Sequence, residues 1–239
     1  MTAQGTQESP DAGTYRQLRF QRPAGACELL LVRHGESAPA REGEPFPLVD
    51  GHGDPPLDPV GRGQAERVAD RLAHEPITAI YVSTLRRTAE TAAPLAARLG
   101  LEPHVEPDLR EVYLGEWEGG SFRRHVAEGH PLAQQMYAEQ RWDVIPGAEP
   151  GEVFAARVRG AIDRIAAAHP DETVAVVSHG GVIGQVLADA SGSRGFAFTG
   201  SDNAAVSHLV VTDDRWVIRR YNDTAHLGLA FTTAPEPLT

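Results

Sequence analysis

The chain has little of what several protein classes depend on. Its 239 residues include one cysteine, Cys27, which excludes an internal disulfide and leaves too few thiols for a structural zinc site. No apolar run approaches the roughly 20 residues that a membrane-crossing helix needs, and the start lacks the basic-then-apolar pattern of a secretion signal. Both omissions point to a cytoplasmic location. Basic charge is also scarce: 22 basic against 33 acidic side chains leave a formal charge of −11. That balance argues against nucleic acid or an anionic membrane as a partner. An anionic ligand must then be drawn in by a local cluster of cations, which makes grouped arginines informative.

What is present describes one α/β domain. The apolar fraction of 41% and charged fraction of 23% are ordinary for a globular chain long enough to bury a full core. Residues 1–24 mix Gly, Gln, Ser and Pro without periodicity and read as a flexible leader, with Tyr15, Leu18 and Phe20 able to dock. Residues 25–239 form the domain. Glu28-Leu29-Leu30-Leu31-Val32, Ala79-Ile80-Tyr81-Val82 and Thr173-Val174-Ala175-Val176-Val177 are short apolar runs suited to strands buried on both faces. Helical spacing follows each: after the cap-like Asp58-Pro59, after Ser83 or Thr84 as cap, and from Gly181 onward. A further helix runs through Val153, Phe154, Val158, Ile162 and Ile165. Residues 205–211 and 215–221 pair around a turn at Asp213-Asp214. Strands alternating with helices imply a mainly parallel central sheet with helices on both faces. Residues 38–56 read as a long surface loop of the kind that walls a substrate site.

Three of these strands end alike, in polar residues followed by glycine or a helix start: Arg33-His34-Gly35-Glu36, Ser83-Thr84-Leu85-Arg86-Arg87 and Ser178-His179-Gly180-Gly181. Strand carboxyl ends in an open parallel sheet are where ligands gather, so the three tips are expected to converge. Two histidines and at least two arginines would then share a pocket. A neutral imidazole is a competent nucleophile toward phosphorus, and guanidinium forks bind phosphoryl oxygens bidentately. Phosphoryl transfer proceeds mainly through positioning and charge stabilisation, so this set has the needed parts. Glycine after each histidine lets a phosphate approach the backbone, and a helix starting near Gly180 offers free amides. For the leaving oxygen an acid is needed: Glu111 suits, with Asp108, Glu116 and Glu118 as rivals.

With those residues in view, Arg33-His34-Gly35-Glu36 resembles the signature of the histidine phosphatase superfamily, which includes cofactor-dependent phosphoglycerate mutases and fructose-2,6-bisphosphatases. Residues 54–65, the Ser83 to Ala92 block, the stretch around Glu111 and Ser178-His179-Gly180-Gly181 are similar to further family landmarks, in family order from Leu29 to about Leu227. The resemblance implies a phosphoglycerate mutase-like fold, His34 as nucleophile, Arg33, Arg87 and His179 around the phosphoryl group, and Glu111 as proton donor. It implies neither a metal nor an organic cofactor. Ser37, Gly180, Arg86 and His52 are further candidates for substrate contact, although Arg86 also reads as an exposed ion-pair partner and His52 as an exposed loop histidine. One position departs from the family pattern: the asparagine often found six residues past the nucleophile is Ala40 here, which leaves Ser37 or His52 to fill in, or a looser pocket.

The segment between Glu111 and His179 is compact and lacks the long insertion associated with the mutases. The expected reaction is therefore hydrolysis of a small phosphorylated metabolite with release of inorganic phosphate. A 2,3-bisphosphoglycerate-dependent mutase and a weakly active phospho-ligand or protein-binding relative are the alternatives. A homodimer is compatible with the sequence. His125 and His130 are spaced unlike a helical metal pair, and His226 reads as structural. Trp117, Phe122, Tyr137 and Trp142 are open as pocket walls.

Overall fold

The computed structural model describes residues 17–228. Most of the leader thus lies outside the described residues, as do residues 229–239. Residues 17–24 hold no helix or strand. Leu18 stands exposed, whereas the Arg219 guanidinium lies 3.9 Å from the Phe20 ring centroid.

The apolar runs form the centre. β1 (Cys27–Arg33), β4 (Ile77–Val82) and β6 (Thr173–Ser178) are flanked by β5 (His104–Val105) on one side and by β7 (Val206–Val211) and β8 (Trp216–Asp223) on the other, in the order β5-β4-β6-β1-β7-β8. β5, β4, β6 and β1 run parallel, and β7 runs antiparallel to both its neighbours, β1 and β8. The alternating faces of the inner strands feed two cores. Leu30, Val32, Ala175 and Val177 pack against α1 (Pro59–Leu72) and α2 (Arg86–Leu99), while Leu29, Leu31, Val174 and Val176 pack against α5 (Gly151–Ala168) and α6 (Gly180–Ser191). Burial on both faces is why these strands read as continuous apolar runs. The register sets β1, β4 and β6 level: Arg33 pairs with Ser178, and Val82 with Val177. His34, Ser83 and His179 therefore leave the sheet at the same height.

Local chemistry explains most element ends. Asp58 caps α1 by accepting the Gly61 N–H at 2.7 Å, with Pro59 at the first helical position. Gly100, at φ 67°, closes α2. The start of α2 corrects the reading of Ser83 or Thr84 as its cap. Leu85 occupies that position, and the Arg86 N–H bonds to Asp54 Oδ1 at 2.9 Å, from a distant loop. Ser83 is turned toward His179 instead, with Oγ to Nε2 at 2.8 Å.

Residues 38–56 are not wholly irregular. A small hairpin joins β2 (Leu48–Val49) to β3 (His52–Gly53) through Asp50-Gly51, at φ 49° and 84°. Positive φ at both central residues is what a mirror-image turn demands, and Asp-Gly favours it. Beyond β5, a single turn at Pro107–Leu109 packs on α5, and a lid follows, built from α3 (Ser121–Ala127), α4 (Pro131–Glu139) and single turns at Gly115–Trp117 and Trp142–Val144. It has its own small core of Trp117, Ala133, Met136 and Ile145.

Candidate active site

His34 follows β1 directly and is buried. Its Nδ1 lies 2.7 Å from the Gly35 carbonyl oxygen. A carbonyl can only accept, so Nδ1 carries the proton and Nε2 presents a lone pair. The turn is held by Gly35 N–H to Thr91 Oγ1 at 3.0 Å and by Asn203 Nδ2 to the His34 carbonyl at 3.0 Å. A Cβ on Gly35 would sit 2.6 Å from the Gly61 carbonyl oxygen, so the strand tip and the first turn of α1 meet only because both positions are glycine.

Arg33 and Arg87 flank the imidazole. Arg33 donates through Nη1 to the Ser201 carbonyl. Arg87 donates from Nε to His34 Nε2 at 3.3 Å and from Nη1 to the Gly53 carbonyl at 2.9 Å. One position earlier on α2, Arg86 does not join them. Its Nε bonds to the Asp54 carbonyl at 2.9 Å and pairs with the Asp54 carboxylate at 3.5 Å, with much of the side chain exposed. Arg86 thus does not line the cavity that Arg87 lines, because successive helical residues point about 100° apart.

The third strand tip brings His179, fully buried, with its ring centroid 5.2 Å from that of His34. His179 Nδ1 is buried with no hydrogen-bond partner among the described residues. Gly180 starts α6 against the Arg33 side chain. The Gly181 N–H donates to Glu111 Oε2 at 3.0 Å, while Oε1 accepts the Val112 N–H at 2.9 Å. A Cβ on Gly181 would overlap Glu111 Oε1, so that glycine is what admits the carboxylate. The loop carrying Glu111 hangs on Arg157 of α5, whose guanidinium takes the carbonyls of Asp108, Arg110 and Glu111 at 2.7–2.9 Å and pairs with Glu149.

Among the rival acids, Asp108 pairs with Arg164 at 2.7 Å and Glu116 is exposed. Glu118 also reaches the cavity, its two oxygens holding the Gly53 and Leu114 amides at 2.7 and 2.9 Å much as those of Glu111 hold two amides. Glu111 is the carboxylate with the strongest charge influence on both Arg33 and Arg87.

The cavity over these groups measures about 150 Å3. Trp117, Phe122, Tyr137 and Trp142 of the lid wall it. His52 lines it too, and is buried rather than exposed. Its ring lies edge-on to Tyr113 at 5.3 Å, and its Nδ1 contacts the Asp50 carbonyl at 3.2 Å. Ser37 is buried beside the cavity and accepts a hydrogen bond from Arg123. The His125 and His130 rings lie 4.7 Å apart at a 59° tilt beside Trp117. The described residues contain no group of three metal-ligating side chains, and none of their helices is long and apolar enough to cross a membrane.

Sequence reasoning misses Arg123, which lines the cavity. The signal for it is the Arg123-Arg124 pair, inside a stretch expected to wall the site of an acidic chain. All 22 basic residues are in fact arginine, so every cation the protein offers is a planar fork.

Burial, then the Arg87 charge, hold the proton affinities of His34 and His179 well below the usual 6.5. Both rings are neutral at neutral pH. Because the folded state disfavours their protonation, the associated stability is present above about pH 6.5 and is lost as pH falls below it. Each histidine is expected to contribute a slope of about 1.4 kcal/mol per pH unit there. Thermal melts from pH 7.5 to 5 check this by comparing wild type with His34→Gln/His179→Gln. A double variant that keeps the full wild-type slope would contradict it. His208 and His226, also lowered by burial, tilt both curves alike.

A sheet with three level strand tips, two buried neutral histidines and two inward guanidinium forks defines a phosphoryl-handling enzyme class. Residues 29–224 match the sequence profile of the histidine phosphatase superfamily, branch 1, and the chain belongs to that family. Phosphoglycerate mutase-like protein 4 of Arabidopsis thaliana is 35% identical over 84% of this chain and 87% of its own. Phosphoserine phosphatase 1 of Hydrogenobacter thermophilus is 33% identical over 88% and 99%. Among solved structures, a mycobacterial glucosyl-3-phosphoglycerate phosphatase superposes with a TM-score of 0.70 at 28% identity, covering 83% of this chain and all of that one.

Proposed function

We propose that the protein hydrolyses small phosphomonoesters through a phosphohistidine on His34. The observation that carries this reading is one cavity holding the unprotonated Nε2 of His34, the Arg33 and Arg87 guanidiniums and the Glu111 carboxyl group. In the first step the Nε2 lone pair forms a bond to phosphorus as the ester P–O bond breaks. Glu111, protonated, gives its proton to the departing oxygen. In the second, water attacks phosphorus, its proton passes to Glu111, the P–N bond breaks and inorganic phosphate leaves. Arg33 and Arg87 neutralise the charge on the phosphoryl oxygens. His179 donates from its unpartnered Nδ1, Ser83 holding its other nitrogen, and Gly180, which lines the cavity at the start of α6, offers its amide to the anion.

The test is a panel of phosphorylated metabolites scored for phosphate release, with and without 2,3-bisphosphoglycerate. Release without the bisphosphate supports a phosphatase. Phosphoryl transfer that requires it, with little release, identifies a mutase instead, a reading favoured by the mutase-like relative. Binding of phosphorylated ligands with no turnover of any substrate leaves a binding protein.

The acid role has its own signature. Glu111→Gln is expected to slow alkyl phosphates by about 100- to 1,000-fold, and activated aryl phosphates by less than about 10-fold. The second ester needs no protonated leaving group. Equal losses on both would remove Glu111 from that role.

A further inference from the structure

The phosphoryl cradle has a cation that comes from the lid. The geometry points to Arg123 of α3 as a third guanidinium binding the phosphoryl oxygens, in place of the polar group that Ala40 lacks. This rests on the phosphatase reading above and extends it.

Position 40 has no polar group: it is a half-buried alanine packed beside Gly120. Gly120, at φ 103°, faces it so closely that a Cβ there would lie 3.1 Å from Ala40 Cβ and 3.2 Å from the Phe46 ring. Three residues further along the lid, Arg123 turns back over the nucleophile loop. Its Nη2 donates to Ser37 Oγ at 2.7 Å, and its Nη1 to the Ala38 carbonyl at 2.8 Å. The Phe46 ring lies 5.2 Å below the guanidinium carbon. Ser37 therefore supports the new cation.

Charge explains what Arg123 is for. A guanidinium has five N–H donors, and Arg123 uses two on neutral acceptors; the others bond to no described residue. No described carboxylate forms an ion pair with it, and the charge of Glu36 acts on it less than those of the other two arginines. Yet it faces the same cavity as Arg33 and Arg87. Burial and then the charges of Arg87 and Arg33 pull its proton affinity down to about 10, and Arg123 in turn disfavours protonation of His34. Glu111 offsets the charges of Arg33 and Arg87, whereas Arg123 adds a further positive charge to the same cavity with no described carboxylate paired to it, and like charges repel. A phosphoryl group answers all three. Because Arg123 belongs to the lid, Arg33 to β1 and Arg87 to α2, binding that group adds to the tie that Arg123 already makes between the lid and the nucleophile loop.

The experiment compares wild type, Arg123→Met, Arg123→Lys and the exposed neighbour variant Arg124→Ala. Inhibition constants for inorganic phosphate are measured, with kcat/KM for 3-phosphoglycerate and for glycerol 3-phosphate, which lacks the carboxylate. Arg123→Met is expected to weaken phosphate inhibition by about 10- to 100-fold and to lower kcat/KM similarly on both esters. Arg123→Lys recovers part of the loss, Arg124→Ala behaves as wild type, and melting curves show every variant folded. Unchanged phosphate inhibition in a folded Arg123→Met overturns the inference. So does a loss confined to 3-phosphoglycerate, which would make Arg123 a reader of the leaving group. A wild type that neither binds phosphate nor releases it would instead overturn the function reading itself.

Discussion

His34→Ala is expected to abolish phosphate release, by about 10,000-fold or more, while the protein stays folded. Loss of a covalent nucleophile commonly has an effect of that size, because the remaining groups act as a unit with it. The fold should tolerate the change. The ring bonds to its own neighbour's carbonyl and to Arg87 Nε, which keeps its Gly53 anchor through Nη1, and the turn is held by backbone contacts to Thr91 and Asn203. Any phosphoenzyme trapped from the wild type should show the acid lability of a P–N bond and be missing from the variant. Turnover by the alanine variant within about 10-fold of wild type would dismiss His34 as nucleophile.

Arg87→Lys is expected to lower kcat/KM by about 100- to 1,000-fold despite keeping the charge. Arg87 spans two partners at once, His34 Nε2 through Nε and the Gly53 carbonyl through Nη1. A lysine ammonium is a single point of donation and cannot span both. The damage falls on kcat more than on KM if the fork matters most when charge is spread over the equatorial oxygens. A lysine variant close to wild type would show that Arg87 supplies charge alone.

The fold and the site are legible in the amino-acid sequence to the extent that their causes are local. Runs such as Leu29 to Val32 and Thr173 to Val177 announce buried strands by themselves, and the two histidine tips each carry their own glycine. Those pieces define the parallel core, and their convergence follows once three strand ends are placed in one sheet. Arg86 and Arg87 look alike in sequence; the helical phase of α2 separates them, and that phase depends on Asp54 holding the first amide. His52 reads as an exposed loop histidine because Tyr113, the ring that packs against it, is remote in the chain. The Asp50-Gly51 turn signal is present, but the strands it joins are two residues each, too short to show any alternation. Arg123 is the least accessible: α3 has no buried residue of its own, so nothing in its periodicity says which face looks at His34.

Arg157 gives the site a property that its cavity does not reveal. One side chain on α5 fixes three carbonyls of the Glu111 segment, and the same helix leads into β6, at whose tip His179 stands. The Glu111 carboxyl group thus takes its position from a helix on the far side of the sheet from α1 and α2, while His179 takes its own from the register of β6 with β1 and β4. Drift at the amino-terminal turns of α5 therefore detunes Glu111 alone and leaves the two imidazoles level.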